Sequence, residues 1–273
     1  MRHVRMYVDG YNFYYAIKQK YRLDRIKLGL ESLIGLGWCD FRRLGEHMID
    51  RNAEQITEIK YFTARVEKDD PGFAGERQRQ QDWLNAVSTI TGLRKIMGYL
   101  SLPRGPRGRA ADTSATSDPT KLKPSRKEHY TDVNIAVEIV LDALDARGYH
   151  KAILISGDTD FAPAVYAVQK GMVDRGLLRG GKTVDVWVPP GIPTSGWHEY
   201  FREPEHSCPV RIETITESML AKSLLPYERP RVYTCPNDWR LPLAYLKEKV
   251  PDGLRPDIAR PESSDGAPQE RKQ

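Results

Sequence analysis

Short apolar runs alternate with amphipathic stretches through roughly the first 190 residues of the chain. The runs VRMYVDG, ITEIKYFTARV, LRKIMGYL, AILIS and TVDVWV are rich in β-branched and aromatic residues, and they predict buried strands. Helices are predicted over residues 11–21, 41–51, 76–91, 131–146 and 159–170. Strands that alternate with helices indicate an α/β fold, in which a mostly parallel sheet is covered by helices on both faces.

The helix predicted over residues 131–146 has two contrasting faces. Its apolar residues lie on one face and are Val133, Ala136, Val137, Val140 and Leu144. Its acidic residues follow an i, i+4, i+7 spacing and are Glu138, Asp142 and Asp145. We therefore expect the apolar face to be buried and the acidic face to lie in solvent.

The alternating pattern weakens after Pro204, which suggests a change of organisation. We expect residues 1–203 to form the main domain and residues 204–250 to form a C-terminal extension that packs on its core. Residues 251–273 are rich in proline and charge, and we expect them to form a disordered tail.

Composition restricts the class of protein. The chain has a net charge of +5, no apolar run long enough to cross a membrane and no signal-peptide pattern at its N-terminus. Its three cysteines are far apart and form neither a disulfide framework nor a zinc-ligand spacing. These features predict a cytoplasmic protein with no membrane partner.

The positive charge is concentrated in one segment, residues 103–127. This segment holds seven basic residues against two acidic ones, and its Pro, Gly, Ser and Thr content predicts a long mobile loop. Candidate phosphate contacts in it are Arg104, Arg107, Arg109 and Lys127. The alternative interpretation is a solvated insertion whose charge has no binding role.

Four aspartates stand where the predicted strands end or helices begin. Asp9 ends the first strand, Asp158 and Asp160 follow AILIS, and Asp132 opens the next helix with Thr131 as a candidate N-cap. Ligands bind beyond the carboxyl ends of parallel strands, so these carboxylates are expected to converge. Hard oxygen ligands favour Mg²⁺ or Mn²⁺, and a metal held beside a basic loop suits phosphodiester hydrolysis.

The segments YVDGYNFYYAI, KEHYTDVNIAVEIVLDAL and AILISGDTDFAPAVYAVQKG occur in this order and resemble the NYN family of PIN-like ribonucleases. The resemblance covers roughly residues 2–190. It implies a Rossmann-like three-layer sandwich and cleavage of RNA with Mg²⁺ or Mn²⁺. It also implies that Asp9, Asp132, Asp158 and Asp160 are the catalytic metal ligands.

The same resemblance assigns supporting roles to two polar residues. Asn12 would orient a ligand or the scissile phosphate, and Ser156 would support the loop after the strand AILIS. The chain departs from the family pattern in its long basic insertion, and in Glu138, where relatives often carry aspartate. We place Glu138 outside the site, because it lies six residues along the helix from Asp132.

Together these features predict a metal-dependent endoribonuclease that acts on single-stranded or structured RNA. Two alternatives remain open: a catalytically silent RNA-binding module and a metal-dependent DNA nuclease. The oligomeric state is not determined by the sequence, which is compatible with a homodimer.

Overall fold

The computed structural model describes residues 1–66, 75–101, 127–145, 148–178 and 181–256, with the backbone alone for residues 99–101 and 127–129. The predicted basic loop at residues 103–127 therefore lies outside the described residues, apart from the backbone of Lys127. Arg104, Arg107 and Arg109 lie outside them as well.

A central sheet of seven strands dominates the described part of the chain. Its strands are β1 (Arg2–Asp9), β2 (Glu54–Ala64), β3 (Leu93–Ser101), β4 (Lys127–His129), β5 (Lys151–Ile155), β6 (Thr183–Val188) and β7 (Ile212–Thr214). They are arranged in the order β4-β3-β2-β1-β5-β6-β7. Six of them are parallel, and β4 pairs with β3 in the antiparallel direction. The mostly parallel α/β fold predicted from the sequence is confirmed.

Helices cover both faces of the sheet. Within the described residues they are α1 (Gly10–Lys18), α2 (Asp24–Lys27), α3 (Phe41–Glu46), α4 (Glu76–Val87), α5 (Thr131–Leu144), α6 (Ala162–Tyr166), α7 (Met172–Asp174), α8 (Ser195–Arg202), α9 (Glu217–Ala221) and α10 (Leu243–Lys249). Helices α1, α3 and α4 pack on one face, and α5, α6 and α8 on the other. Alternate residues of each strand point to opposite layers, as Met6 and Tyr7 do in β1. The result is a three-layer sandwich.

The orientation of α5 contradicts our sequence-based prediction. Val133, Val137 and Leu144 are exposed, and so is Leu141. The residues buried against the sheet are Ile135, Ile139 and Ala143, while Ala136 and Val140 are only partly buried. The acidic residues Glu138 and Asp142 point towards the sheet, where both contact Lys60 of β2. The face expected in solvent is therefore the one that is ion-paired.

The C-terminal extension is integrated into the main body. Strand β7 pairs with β6 and completes the central sheet. The core beside α1 includes the extension residues Ile215, Leu220, Leu224, Leu225, Tyr227, Tyr233, Cys235, Leu241, Leu246 and Val250. A two-stranded ribbon, β8 (Glu228–Arg229) and β9 (Tyr233–Thr234), lies in the same segment. The predicted boundary at residue 203 thus precedes a strand of the same sheet.

The start of the predicted disordered tail is described, and it is folded. Residues Asp252–Leu254 form a 3-10 turn, and the Arg255 guanidinium donates to the carbonyls of Leu246 and Val250. Residues 257–273 lie outside the described residues. In the part of the chain that is described, no helix is long and apolar enough to cross a membrane.

Candidate active site

The site is built at the switch in strand order between β1 and β5. These two strands are parallel neighbours, with Val8 opposite Ile155, and the chain leaves them in opposite directions across the sheet. The loops that follow them therefore diverge and leave a crevice at the carboxyl edge. Asp9 ends β1, and Ser156 to Asp160 follow β5.

Asp9 is fixed by the start of the helix that follows it. Its Oδ1 accepts a hydrogen bond from the backbone N–H of Asn12 at 3.1 Å, so that Asp9 is the N-cap of α1. The turn into α1 is tight: a Cβ at Gly10 would lie 2.5 Å from Tyr61 Oη and 2.6 Å from the Phe62 carbonyl oxygen. Asp9 is only 4% exposed, so its carboxylate is held in one place.

Two side chains join the β1 and β5 loops. The fully buried Ser156 hydroxyl donates to Asp9 Oδ2 at 2.9 Å and accepts from the Asp158 backbone N–H at 3.0 Å. The side-chain oxygen of Asn12 accepts from the Gly157 backbone N–H at 2.8 Å. Asn12 and Ser156 therefore position the loop that carries Asp158.

Asp158 and Asp160 stand at the start of a short turn. Asp158 Oδ1 accepts from the Asp160 backbone N–H at 2.9 Å and caps the 3-10 turn Thr159–Phe161. Phe161 anchors this turn in the core, while Asp160 remains exposed. One of the two carboxylates is thus held by its own backbone, and the other is presented to solvent.

Asp132 reaches the same edge by an unexpected route. Helix α5 does not follow a parallel strand, because β4 runs antiparallel to β3. Asp9 is level with Phe62 and Ile96, whereas β4 ends opposite Tyr99, about 10 Å further along β3 at ~3.3 Å per residue. Strands β3 and β4 thus extend beyond the carboxyl edge that Asp9 marks, and α5 begins above the crevice at that edge.

The N-terminus of α5 differs from the predicted cap. Thr131 is the first, buried residue of the helix, and Tyr130 occupies the N-cap position. Tyr130 has φ +72°, a left-handed conformation that costs a non-glycine residue on the order of 1–3 kcal/mol. The strained residue adjoins Thr131 and lies two positions before Asp132, which is itself exposed.

The acidic residues influence one another electrostatically. Burial raises the pKa of Asp9 to about 6, hydrogen bonds from Asn12 and Ser156 oppose the rise, and the charges of Asp132 and Asp158 add to it. Partial burial also raises the pKa of Asp132, and Asp158 and Asp160 reinforce that shift. All four aspartates therefore belong to one electrostatic cluster, which a bound cation would relieve.

The described residues do not include a preassembled metal cage: no three His, Cys, Asp or Glu side chains among them are gathered in a group that could hold a metal ion. The donor set nevertheless has the hard oxygen chemistry that Mg²⁺ and Mn²⁺ prefer. Asp9 and Asp158 are hydrogen-bonded in place, whereas Asp132 and Asp160 are exposed. Reorientation of the two exposed carboxylates would be required to complete a cation site.

Glu138 lies outside this cluster, as expected, but for a different physical reason. Its carboxylate is 2.6 Å from Lys60 Nζ and 3.4 Å from Arg94. Lys60 is a lysine buried in the middle of β2 and 2% exposed, so it needs carboxylate partners. Glu138 and Asp142 supply them. No local pattern in the sequence indicates this pairing, because Lys60 lies inside an ordinary strand pattern.

A mostly parallel α/β sheet with carboxylates at its switch point is the arrangement of PIN-like nucleases. The family model of the NYN domain matches residues 3–177, well over half of the chain. The chain belongs to the NYN domain family. Membership indicates a nuclease-like hydrolase of the ribonuclease type, in a family whose members generally use divalent metal ions.

No curated protein matches the chain. Among solved structures, the chain is similar to a Vibrio parahaemolyticus protein of unknown function. The two are 19% identical with a TM-score of 0.43, and the match covers 79% of this chain and 93% of the other.

Proposed function

We propose that this protein is a metal-dependent endoribonuclease that hydrolyses phosphodiester bonds of single-stranded or structured RNA, with Mg²⁺ or Mn²⁺ as cofactor. The observation that carries the proposal is the grouping of four aspartates at the switch point, where Ser156 joins the buried Asp9 to the loop of Asp158. Burial raises the pKa of Asp9, and the charges of Asp132 and Asp158 add to the rise. A group of mutually repelling carboxylates is costly for a fold to maintain unless it binds something positive.

The four aspartates would hold the cation from two sides that differ in mobility. Asp9 and Asp158 form the fixed side of the site, since Ser156 bridges them and Asn12 clamps the intervening loop. Asp132 and Asp160 form the adjustable side. When bound, the cation would lower the pKa of a coordinated water and stabilise the charge that develops on the phosphoryl oxygens.

Capture of the RNA backbone is a separate task, for which the sequence offers Arg104, Arg107, Arg109 and Lys127. We propose that these residues contact phosphates and deliver the strand to the acidic edge. The backbone of Lys127 supports this assignment, because it begins β4 opposite Ser101, beyond the level of Asp9.

The decisive experiment is cleavage of a labelled RNA in Mn²⁺ and in EDTA by wild type, Asp158→Asn and Asp160→Asn. We expect cleavage by wild type in Mn²⁺ alone, and loss of cleavage in both variants with the fold retained. Asp174→Asn is the matched control, since Asp174 is an exposed aspartate on α7, outside the cluster.

The outcomes separate the candidate functions. RNA binding without cleavage by the wild type, at any metal concentration, would identify a catalytically silent binding module. Preferential cleavage of a DNA strand of the same sequence would identify a DNA nuclease. Near wild-type cleavage by both site variants would contradict the assignment of Asp158 and Asp160 as metal ligands.

A further inference from the structure

The exposed face of α1 carries a row of aromatic and basic side chains that leads away from the acidic cluster. Tyr11, Tyr15, Lys18 and Arg22 follow one another at intervals of three and four residues, and the helical turns continue past Lys18 through residues 19–23. Residues at this spacing share one face of a helix. The row begins two residues after Asp9, so it starts at the site itself.

Tyr15 is the exposed centre of the row, and the partly buried Lys18 lies against it. Tyr15 is 55% exposed, and its ring centroid lies 6.0 Å from that of Tyr11 and 5.1 Å from that of Tyr14. Lys18 Nζ lies 5.7 Å from the Tyr14 centroid and 5.9 Å from the Tyr15 centroid. The ammonium is therefore held against two ring faces at one place on the helix.

Lys18 lies near charges of both signs, and none of the ion pairs of the described residues includes it. Among the described residues, no carboxylate lies within salt-bridge distance of its Nζ, whereas the neighbouring Arg22 is 3.7 Å from Asp238. Burial lowers the pKa of Lys18, the charges of Arg22 and Arg79 lower it further, and the charge of Glu76 opposes them. A partly buried ammonium that no described carboxylate contacts directly can accept an anionic ligand, and a phosphate diester would satisfy it.

The C-terminal extension packs against the other side of α1 through Trp239. The ring of Tyr14 stacks on Trp239 at 5.6 Å and an interplanar angle of 8°. Trp239 in turn contacts the fully buried Trp38 and the partly buried Trp83, with centroid distances of 6.4 Å in both cases. Tyr14 therefore rests on the protein core and supports the ring of Tyr15, which limits the side-chain freedom lost when a ligand stacks there.

We propose that one arm of the RNA substrate runs along this face of α1, with an unpaired base stacked on Tyr15 and a backbone phosphate contacted by Lys18. The proposal rests on the nuclease function above and specifies the substrate form. At ~1.5 Å per residue, Tyr15 and Lys18 lie about 9 Å and 14 Å along the helix from Asp9. A strand cut at the acidic cluster would thus meet them a short distance from the scissile phosphate.

This geometry selects single-stranded RNA on that side of the cleaved bond. Exposed aromatic rings stack on bases of any sequence, because every base has a flat face. A base inside a duplex is already covered above and below by its neighbours, so Tyr15 has no face to stack on. Duplex RNA is expected to bind only through its phosphates.

The test uses full-length protein and two substrates, a single-stranded RNA oligonucleotide and bis(p-nitrophenyl) phosphate, both with Mn²⁺. The small diester reports the metal site and is too short to reach Tyr15. We expect Tyr15→Ala to raise KM for the RNA about tenfold to a hundredfold, and to do so far more than for the small diester. Tyr15→Phe keeps the ring and is expected to restore the RNA KM.

Lys18→Gln tests the phosphate contact through salt dependence. Loss of one contact to a single strand reduces the slope of log affinity against log salt by about 0.7. Lys27→Gln is the matched control, because Lys27 is an exposed lysine on α2 and its loss changes the net charge equally. Affinity is measured by fluorescence anisotropy in EDTA, so that no cleavage is needed for this readout.

The outcomes distinguish the two levels of the proposal. A wild type that binds the single strand but cleaves neither substrate contradicts the nuclease function and leaves the α1 contact to be decided by anisotropy. A wild type that cleaves both substrates while Tyr15→Ala and Lys18→Gln match it on RNA overturns the α1 contact alone. Equal binding of single-stranded and duplex RNA by the wild type, or no binding of the single strand, also overturns it.

Discussion

The hydroxyl of Ser156 lies 2.9 Å from Asp9 Oδ2 and joins a strand-end carboxylate to a loop 147 residues further along the chain. The same hydroxyl accepts from the Asp158 N–H, so one buried atom positions two candidate metal ligands. This bond lowers the pKa of Asp9 against the effect of burial. Ser156 therefore keeps Asp9 closer to the ionised form that a cation requires.

Replacement of Ser156 tests this role. Ser156→Ala removes the hydrogen-bond partner of the Asp158 N–H and of Asp9 Oδ2, so we expect a loss of roughly 1–3 kcal/mol in the free energy of unfolding. Weaker Mn²⁺ binding is expected as well. Ser223→Ala is the matched control, because Ser223 is equally buried and its hydroxyl has no partner in the described structure. Urea unfolding measures both variants, and equal losses would contradict the bridging role.

Metal binding should be visible as stabilisation. A ligand that binds only the folded state adds about 2.7 kcal/mol at a hundredfold excess over Kd. Mn²⁺ is therefore expected to raise the melting temperature of wild type and to have much less effect on Asp132→Asn. Without metal, the variant is expected to melt no lower than wild type, since one repelling charge is gone. An unchanged melting temperature across millimolar Mn²⁺ would argue against a cation site.

The ion pairs beneath α5 predict a particular acid sensitivity. Burial alone would raise the pKa of Asp142, but hydrogen bonds from Lys60 and Tyr7 and the charges of Lys60 and Arg5 outweigh it and lower the pKa below its usual 3.8. A lowered pKa in the folded state gives stability that is complete above the unfolded value and is lost as pH falls through the folded value. Wild type is thus expected to lose this contribution only below about pH 4.

Asp142→Asn removes that dependence. We expect the variant to lose roughly 1.5–3 kcal/mol at neutral pH and to show a shallower decline in acid. Asp174→Asn, at an exposed position, is expected to follow the wild-type curve. Chemical unfolding between pH 3 and pH 7 compares them, and parallel acid limbs for wild type and Asp142→Asn would disprove the assignment.

The orientation of α5 can be tested by alanine substitutions at two neighbouring positions on different faces of the helix. Ile139 is fully buried, so Ile139→Ala is expected to cost about 2–5 kcal/mol. Val137, which the sequence pattern placed on the buried face, is 46% exposed, so Val137→Ala is expected to stay within about 0.5 kcal/mol of wild type. The reverse ranking would restore the orientation that the sequence pattern favoured.

The role of the basic segment, residues 103–127, in RNA binding is predicted from the sequence alone. Replacing Arg104, Arg107 and Arg109 by serine is expected to weaken RNA binding and to flatten its salt dependence by about 0.7 for each contact removed. The small diester, which needs no backbone capture, is the control substrate. Unaltered salt dependence would identify the segment as a solvated insertion.

The sheet and the location of the acidic residues could be predicted because they depend on local signals. A short apolar run followed within three residues by aspartate indicates a strand end, and Asp9 and Asp158 both follow this pattern. Their convergence then depends on parallel pairing of β1 and β5, which is observed. Antiparallel β4 was missed, as only three of its residues pair.

The orientation of α5 could not be read from its own residues. The hydrophobic pattern alone ranks the valine face as buried, but the buried charge of Lys60 must be paired, and it draws Glu138 and Asp142 inwards. That requirement comes from a strand 78 residues away. The stacking of Trp239 on Tyr14 is similarly long-range and has no local signature.

The hydrogen bond from Ser156 to Asp9, which joins the ends of β1 and β5, also determines at what stage of synthesis the site can form. During synthesis the N-terminal strand leaves the ribosome first, yet Asp9 cannot meet Ser156 and Asp158 until residues more than 145 positions later have emerged. Partly synthesised chains therefore hold Asp9 without its partners. A ribosome translating this message exposes no assembled candidate site until it has passed the codon for Asp160.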